Sequence, residues 1–145
     1  MNYTVTPFLS LAGAGQEALE YYSDHLGAVI VFKVTYKDMK KMDTAFSFSA
    51  GKENYISHAI MKIGDSEILL SDDLMDGQSE LHIGNNASIC IQSDDEGTIR
   101  QLYGSLISDK KTKVIVPLAA NAFSPAYAIV SDPFGLIIQL NVNKK

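Results

Sequence analysis

The chain states one strand-helix-strand-strand-strand plan twice. Ser57-His58-Ala59-Ile60 opens a strand pattern that turns at Gly64-Asp65 and returns through Ile68-Leu69-Leu70. Ala126-Tyr127-Ala128-Ile129 opens another, which turns at Asp132-Pro133-Phe134-Gly135 and returns through Ile138-Gln139-Leu140. His58 and Tyr127 stand 69 residues apart, Leu69 and Gln139 70, so the second hairpin is one residue longer. One such unit is a short sheet with a single helix, and its other face needs something opposite it. The expected fold is therefore α+β. Two tandem βαβββ units form a curved mixed sheet with helices outside and a central cleft, the default place for a ligand.

The rest of the chain fits this plan. Val5 to Leu11 reads as a first strand, followed by the small-residue turn Ala12-Gly13-Ala14-Gly15. Ala18, Leu19, Tyr21, Tyr22 and Leu26 recur at a helical period, and His25 with Gly27 marks the stop. In the second half Asp94-Asp95-Glu96 can cap a helix whose apolar stripe is Ile99, Leu102, Tyr103, Leu106 and Ile107, 81 residues beyond Ala18 at its start. Ala28 to Thr35 and Thr112 to Pro117 are β-branched-rich strands. Residues 36–54 read as a polar surface excursion, broken only by Phe46 and Phe48. The whole, 1–145, is expected to be a single domain, with unit one at about 1–72, a linker at 73–84 and unit two at about 85–145.

Composition narrows the function classes. A net charge of −5 and no basic stripe argue against nucleic acid as a partner and against anionic membranes. No apolar run approaches the roughly 20 residues of a membrane helix, and no secretory signal is visible at Met1-Asn2-Tyr3. The lone Cys90 cannot form an internal disulfide, which fits a cytoplasmic protein. Mid-strand between Ile89 and Ile91, it reads as a buried, inert thiol. Asp72-Asp73 reads as a solvated turn, and Ser88 and Ser124 have no evident base partner.

The residues that could carry function are mostly aromatic. Phe8, Phe46, Tyr55, His58, Phe123, Tyr127 and Gln139 are the candidates to line a cleft. Imidazole titrates near neutral pH, so His58 can also shuttle protons. His58 and Tyr127 are pseudo-equivalent, and if one faces the cleft the other should too. Strand alternation points Tyr55 and His58 to opposite faces unless the strand entry is irregular. The same aromatics are equally consistent with plain core packing.

The ordered set Pro7-Phe8-Leu9-Ser10-Leu11-Ala12-Gly13, Ala18-Leu19-Glu20-Tyr21-Tyr22 through Leu26-Gly27-Ala28, His58-Ala59 through Ile63-Gly64, Leu69-Leu70-Ser71-Asp72, Ala122-Phe123-Ser124 through Tyr127, and Asp132-Pro133-Phe134-Gly135 resembles the vicinal oxygen chelate superfamily. That superfamily holds glyoxalase I, bleomycin-resistance proteins and extradiol dioxygenases; its PhnB-like branch is closer still. The resemblance implies a homodimer. In metal-dependent members it also implies ligands on the first and last strands of each unit, which align here with Pro7 or Phe8, Leu69, Ala87 or Ser88, and Gln139. Only Gln139 could ligate, so no metal and no cofactor are expected. Proteins of this branch often carry a demethylubiquinone methyltransferase-like name, but no glycine-rich loop suited to a nucleotide-type methyl donor follows any strand.

Three functions remain open. The first is small-molecule binding by a PhnB-like protein in an aromatic-lined cleft without a catalytic metal. The second is a metal-independent isomerase or lyase, with His58 as general base and Tyr127 or Gln139 polarising an oxygen. The third is a metal-dependent lyase or dioxygenase. The cleft-facing strands show no cationic cluster for a phosphonate dianion; Arg100, on a helix, is the only arginine.

Overall fold

A computed structural model describes residues 2–144. The chain divides into two compact units, one running through Leu81 and one from His82. The first contains β1 (Phe8–Ser10), α1 (Gly15–Leu26), β2 (Val29–Thr35), α2 (Tyr36–Met42), β3 (Ile56–Ile63) and β4 (Ser66–Ser71). The second contains β5 (Ser88–Ser93), α3 (Glu96–Ser108), β6 (Lys113–Ala119), β7 (Tyr127–Ser131) and β8 (Ile137–Val142). Each unit holds one four-stranded sheet, in the orders β1-β4-β3-β2 and β5-β8-β7-β6. The first pair in each order is parallel and the others are antiparallel. This is the doubled βαβββ plan, with one addition.

The addition is α2, at the start of what the sequence presents as a polar excursion. Thr35 caps it, accepting from the Asp38 N–H while the Asp38 carboxylate accepts from the Thr35 N–H. This reciprocal pair is a capping box, with Asp in the place more often held by Glu or Gln. Lys40 and Lys41 sit in the last turn, where cations suit the helix dipole. The lysines that suggested an excursion are the helix's solvated face.

Alternation sorts each sheet into a packed face and an open one. In β3, Ala59 and Met61 are buried while His58 and Ile60 are half-buried. In β7 and β8, Ala128, Val130, Ile138 and Leu140 are buried while Tyr127, Ile129 and Gln139 are half-buried. α1 buries Ala18, Leu19, Tyr21 and Tyr22, and α3 buries Ile99 and Leu106. Ala18 and Ile99, aligned by the sequence repeat, are both fully buried.

One side chain ties the first unit together. The Asp72 carboxylate accepts from the backbone N–H groups of Gly13 (2.7 Å), Gly15 (2.8 Å) and Ile56 (2.6 Å). It thereby joins the β1–α1 turn, the start of β3 and the end of β4. Asp72 is buried, not part of a solvated turn as its sequence context suggests. Glycine is required at position 15, because a Cβ there would meet Asp72 Oδ2 at 2.7 Å and Ile56 Cγ1 at 2.8 Å. The small-residue turn does place two glycines between a strand and a helix. Its amides, however, are filled by the chain's own carboxylate, so they form no phosphate cradle.

Replacing Asp72 with alanine leaves three backbone donors without this acceptor. The expected cost is at least about 3 kcal/mol, from hydrogen bonds to a charged group and buried donors left unmet. Urea unfolding of Asp72→Ala and of the parent protein measures the difference. A loss below about 1 kcal/mol would mean that water replaces the carboxylate freely.

Candidate functional site

The open face of the first sheet is apolar and aromatic. Register places Phe8, Leu69, Ile60 and Phe32 in one row across β1, β4, β3 and β2. His58 lies one pleat along on the same face, its ring centroid 6.0 Å from Phe8 and 6.1 Å from Phe32. Phe8 is 40% exposed and Phe32 47% exposed. An imidazole with phenyl rings on two sides can stack on a planar ligand, accept or donate one hydrogen bond, or carry a proton.

Phe32 is absent from the sequence-derived candidates. It reaches this row because the β2–β3 ladder is irregular between Ile30 and Phe32. A bulge moves one residue across the pleat, and no single-sequence periodicity marks it.

Phe46 and Tyr55 belong to a different group. Their rings pack on Tyr36, at 5.6 Å each, and Phe48 lies 5.9 Å from Tyr36. The Tyr36 hydroxyl makes a short hydrogen bond to Asp73. Burial, then the Asp73 carboxylate, pushes the Tyr36 phenol well above its ordinary range. Lys52 Nζ sits 5.4 Å from the Tyr55 ring centroid. These rings lie against one another as a small satellite core. Strand β3 enters through a second irregularity, between its pairings of Thr35 with Ile56 and Val34 with His58. Simple alternation between Tyr55 and His58 therefore fails.

The open face of the second sheet is polar. Its corresponding row is Cys90, Gln139, Ile129 and Val116. The Tyr127 hydroxyl donates to Gln139 Oε1 (2.6 Å), and Gln139 Nε2 donates to Ser88 Oγ (2.9 Å). Phe123 meets the Tyr127 ring nearly edge-on, with centroids 5.1 Å apart. Phe123, Tyr127 and Gln139 are thus brought together, and Ser88 joins them. Ser124 is instead a buried strut, its hydroxyl bridging the Ala126 and Val142 carbonyls.

Cys90 corrects the sequence reading in two ways. It is exposed, not buried, because β5 is an edge strand and Cys90 lies on its open face. It also stands opposite Gln139, so it, rather than Ala87 or Ser88, corresponds to Phe8. Counting the offset along β1 and β5 from the Leu69–Gln139 match finds it. The four positions at which the resemblance would put metal ligands are then Phe8, Leu69, Cys90 and Gln139. They offer one thiol and one amide. Among the described residues no group of three or more His, Cys, Asp or Glu could hold a metal ion. His25 contacts Tyr21 in the last turn of α1, and His82 is exposed.

No protein-family model matches the chain. Protein YjdN of Escherichia coli K12 is 27% identical over 146 residues, covering 97% of this chain and 96% of that protein. Among solved structures, the PhnB protein from Bacillus cereus superposes with a TM-score of 0.71 at 22% identity, over 96% of this chain and 98% of its own. PA1353 from Pseudomonas aeruginosa gives 0.75 at 21%, over 97% of each chain. The fosfomycin resistance protein FosX from Listeria monocytogenes gives 0.67 at 10%, over 99% of this chain and 95% of its own. The chain has the fold of the PhnB and FosX structures. The resemblance carried by its ordered motifs therefore holds at the level of the fold. No helix among the described residues is long and apolar enough to cross a membrane.

Cys90 gives a direct check on this face. Its thiol is exposed, yet burial of the sulfur's surroundings raises its pKa. Iodoacetamide should label one thiol per native chain, and more slowly at pH 8 than after unfolding in urea, because the thiolate is the nucleophile. Labelling only after unfolding would restore the buried reading.

Proposed function

We propose that the chain is a PhnB-like member of the vicinal oxygen chelate superfamily that binds a small organic molecule and uses no catalytic metal. The observation that carries this is His58, set between the Phe8 and Phe32 rings above Leu69 and Ile60. Half-exposed aromatic rings gathered on the open face of a sheet, around a single imidazole, suit a partly planar ligand. Phe123, Tyr127 and Gln139 are the ligand-facing counterparts in the second unit. Phe46 and Tyr55 support the first unit from their satellite core. The coverage shared with YjdN and with the PhnB structure supports the family reading.

The donor set argues against a metal. A catalytic divalent ion takes three or four protein ligands with a position left open. Phe8 and Leu69 supply none, while Cys90 and Gln139 supply at most two. The methyltransferase part of some relatives' names does not carry over, since among the described residues the one glycine-containing strand-to-helix turn binds Asp72.

Mass spectrometry of protein purified from cells under native conditions tests the binding reading. A retained organic molecule is expected, and Phe8→Ala combined with Phe32→Ala should lower its retention at least tenfold while the circular dichroism is unchanged. Equal retention by the double variant would overturn the assignment of this face. His58 also favours a second reading, a metal-independent isomerase or lyase with this imidazole as general base. If His58→Ala abolishes turnover of the retained molecule but keeps its affinity, the enzyme reading replaces the binding one.

A homodimer is part of the proposal. Edge strand β2 exposes Val29, Ile30, Val31 and Phe32 in succession, and edge strand β6 exposes Val114, Ile115 and Val116. Open apolar edges of this kind invite another chain, and a stable dimer covers them. Sedimentation at micromolar concentration should give twice the 15.8 kDa chain mass. A monomer mass would contradict the dimer and leave the ligand reading intact.

A further inference from the structure

The Ser88–Gln139–Tyr127 chain of hydrogen bonds specifies a ligand chemistry. Gln139 accepts from the Tyr127 hydroxyl at Oε1 and donates to Ser88 Oγ from Nε2. Each hydroxyl oxygen keeps capacity beyond that bond. In this setting the Ser88 O–H is a donor with no use inside the relay, and the Tyr127 oxygen has a spare lone pair. Rotating the Gln139 amide by half a turn preserves both bonds and reverses them: Nε2 donates to Tyr127, and Ser88 donates to Oε1. The Tyr127 O–H is then the available donor and the Ser88 oxygen the available acceptor. In either setting the relay offers one donor and one acceptor.

One carboxamide, that of Gln139, bridges the two hydroxyls through one donor and one acceptor. The flat group that complements one donor and one acceptor on the same pair of hydroxyls is a second carboxamide. Carboxylates offer two acceptors and ammonium groups only donors, so each leaves one end unmatched. The open-face residues of the three strands around the relay carry no formal charge: Ser88, Cys90 and Gln92 on β5, Ile137, Gln139 and Asn141 on β8, Tyr127, Ile129 and Ser131 on β7; the nearest charge on this face is Lys113 of β6, opposite Ser131, two pairs along from Tyr127. Nothing on these strands would neutralise an ionic ligand. Asn141, paired across from Tyr127, adds a buried Oδ1 that has no protein donor among the described residues. Phe123, 58% exposed and edge-on to Tyr127, offers an aromatic neighbour for the rest of the molecule.

We propose that the open face of the second unit binds an uncharged molecule bearing a primary carboxamide or a lactam, held by Ser88 and Tyr127 on the solvent side of Gln139. This rests on the small-molecule-binding reading and adds the ligand class. Gln139 acts as a positioning residue, and Ser88 and Tyr127 are the groups that touch the ligand. The inference concerns hydrogen-bond polarity, so it predicts selectivity as well as affinity.

Benzamide is a suitable probe, since it joins an amide to a ring, and benzoate is its charged counterpart of the same shape. Titration of the full-length, ¹⁵N-labelled protein by NMR should shift the Gln139 side-chain amide and the Cys90 backbone amide. Benzamide should bind at least tenfold more tightly than benzoate. Ser88→Ala should weaken benzamide at least fivefold. Gln139→Glu, whose carboxylate accepts from both hydroxyls and leaves only acceptors, should weaken it at least tenfold. Gln139→Met keeps the side chain's length without its amide and should collapse the benzamide-to-benzoate preference, an effect that a purely structural role would not produce. Equal binding of the two probes, or an unchanged preference in Gln139→Met, overturns the inference. Shifts confined to Phe8, Phe32 and His58 would overturn it while supporting ligand binding on the first unit. If neither probe shifts any resonance, the inference fails, and the cell-derived ligand measured by mass spectrometry decides the broader reading separately.

Discussion

The first unit depends on one carboxylate. Asp72 accepts three backbone hydrogen bonds from two segments more than fifteen residues away along the chain. A buried carboxylate is costly without partners, and hydrogen bonds to a charged acceptor are among the stronger ones in a fold. The bonds to Gly13 and Gly15 set where α1 begins, and the bond to Ile56 sets where β3 begins. With both ends fixed, β1 runs beside β4 in register and Phe8 falls opposite Leu69. The aromatic row on the open face follows from that register. At the equivalent place the second unit has a valine, and its buried carboxylate, Asp132, binds its own β7–β8 turn. Val142 bonds to Ala126 there as Asp72 bonds to Ile56, N–H to carbonyl, so a valine side chain stands where the carboxylate would be. Ser124 bridges the strand ends, and Asp95 caps the helix. The same backbone plan is held by different polar groups in its two copies.

That difference explains which parts of the structure the sequence disclosed. Sheet order, helix positions and hairpins depend on periodicity and turn chemistry, which are local and legible. Gly64-Asp65 and Asp132-Pro133-Phe134-Gly135 both turn where expected, the latter with Gly135 N–H bonded to the Asp132 carbonyl. α2 escaped because its signal is the short capping box at Thr35 and Asp38, with no apolar stripe behind it. Asp72 escaped because burial of a charge depends on donors that lie far away in sequence.

The open faces were legible in part. Phe8 and His58 share one neighbourhood, and Phe123, Tyr127 and Gln139 another. Phe46, in the expected surface excursion, and Tyr55, at the expected start of a strand, pack on Tyr36, and that packing depends on α2, whose only sequence signal is its capping box. Phe32 was hidden by one irregular residue in the β2–β3 ladder, and Cys90 by an offset that differs between β1–β5 and the later strands. In each case a one- or two-residue change of register decides which face a side chain occupies.

The two rows show how a duplicated unit can diverge in chemistry without diverging in backbone. Phe8, Leu69, Ile60 and Phe32 correspond to Cys90, Gln139, Ile129 and Val116. Only the isoleucine is common to both. At the strand-four position the contrast is sharpest. Leu69 can only exclude water, whereas Gln139 sets the direction of two hydrogen bonds. A carboxylate at position 139 would accept from both hydroxyls and add charge next to the Cys90 thiol, a step toward a metal-binding pair. An amide at that position keeps the row neutral and gives it both a donor and an acceptor. Glutamine there suits recognition of an uncharged polar group better than chelation.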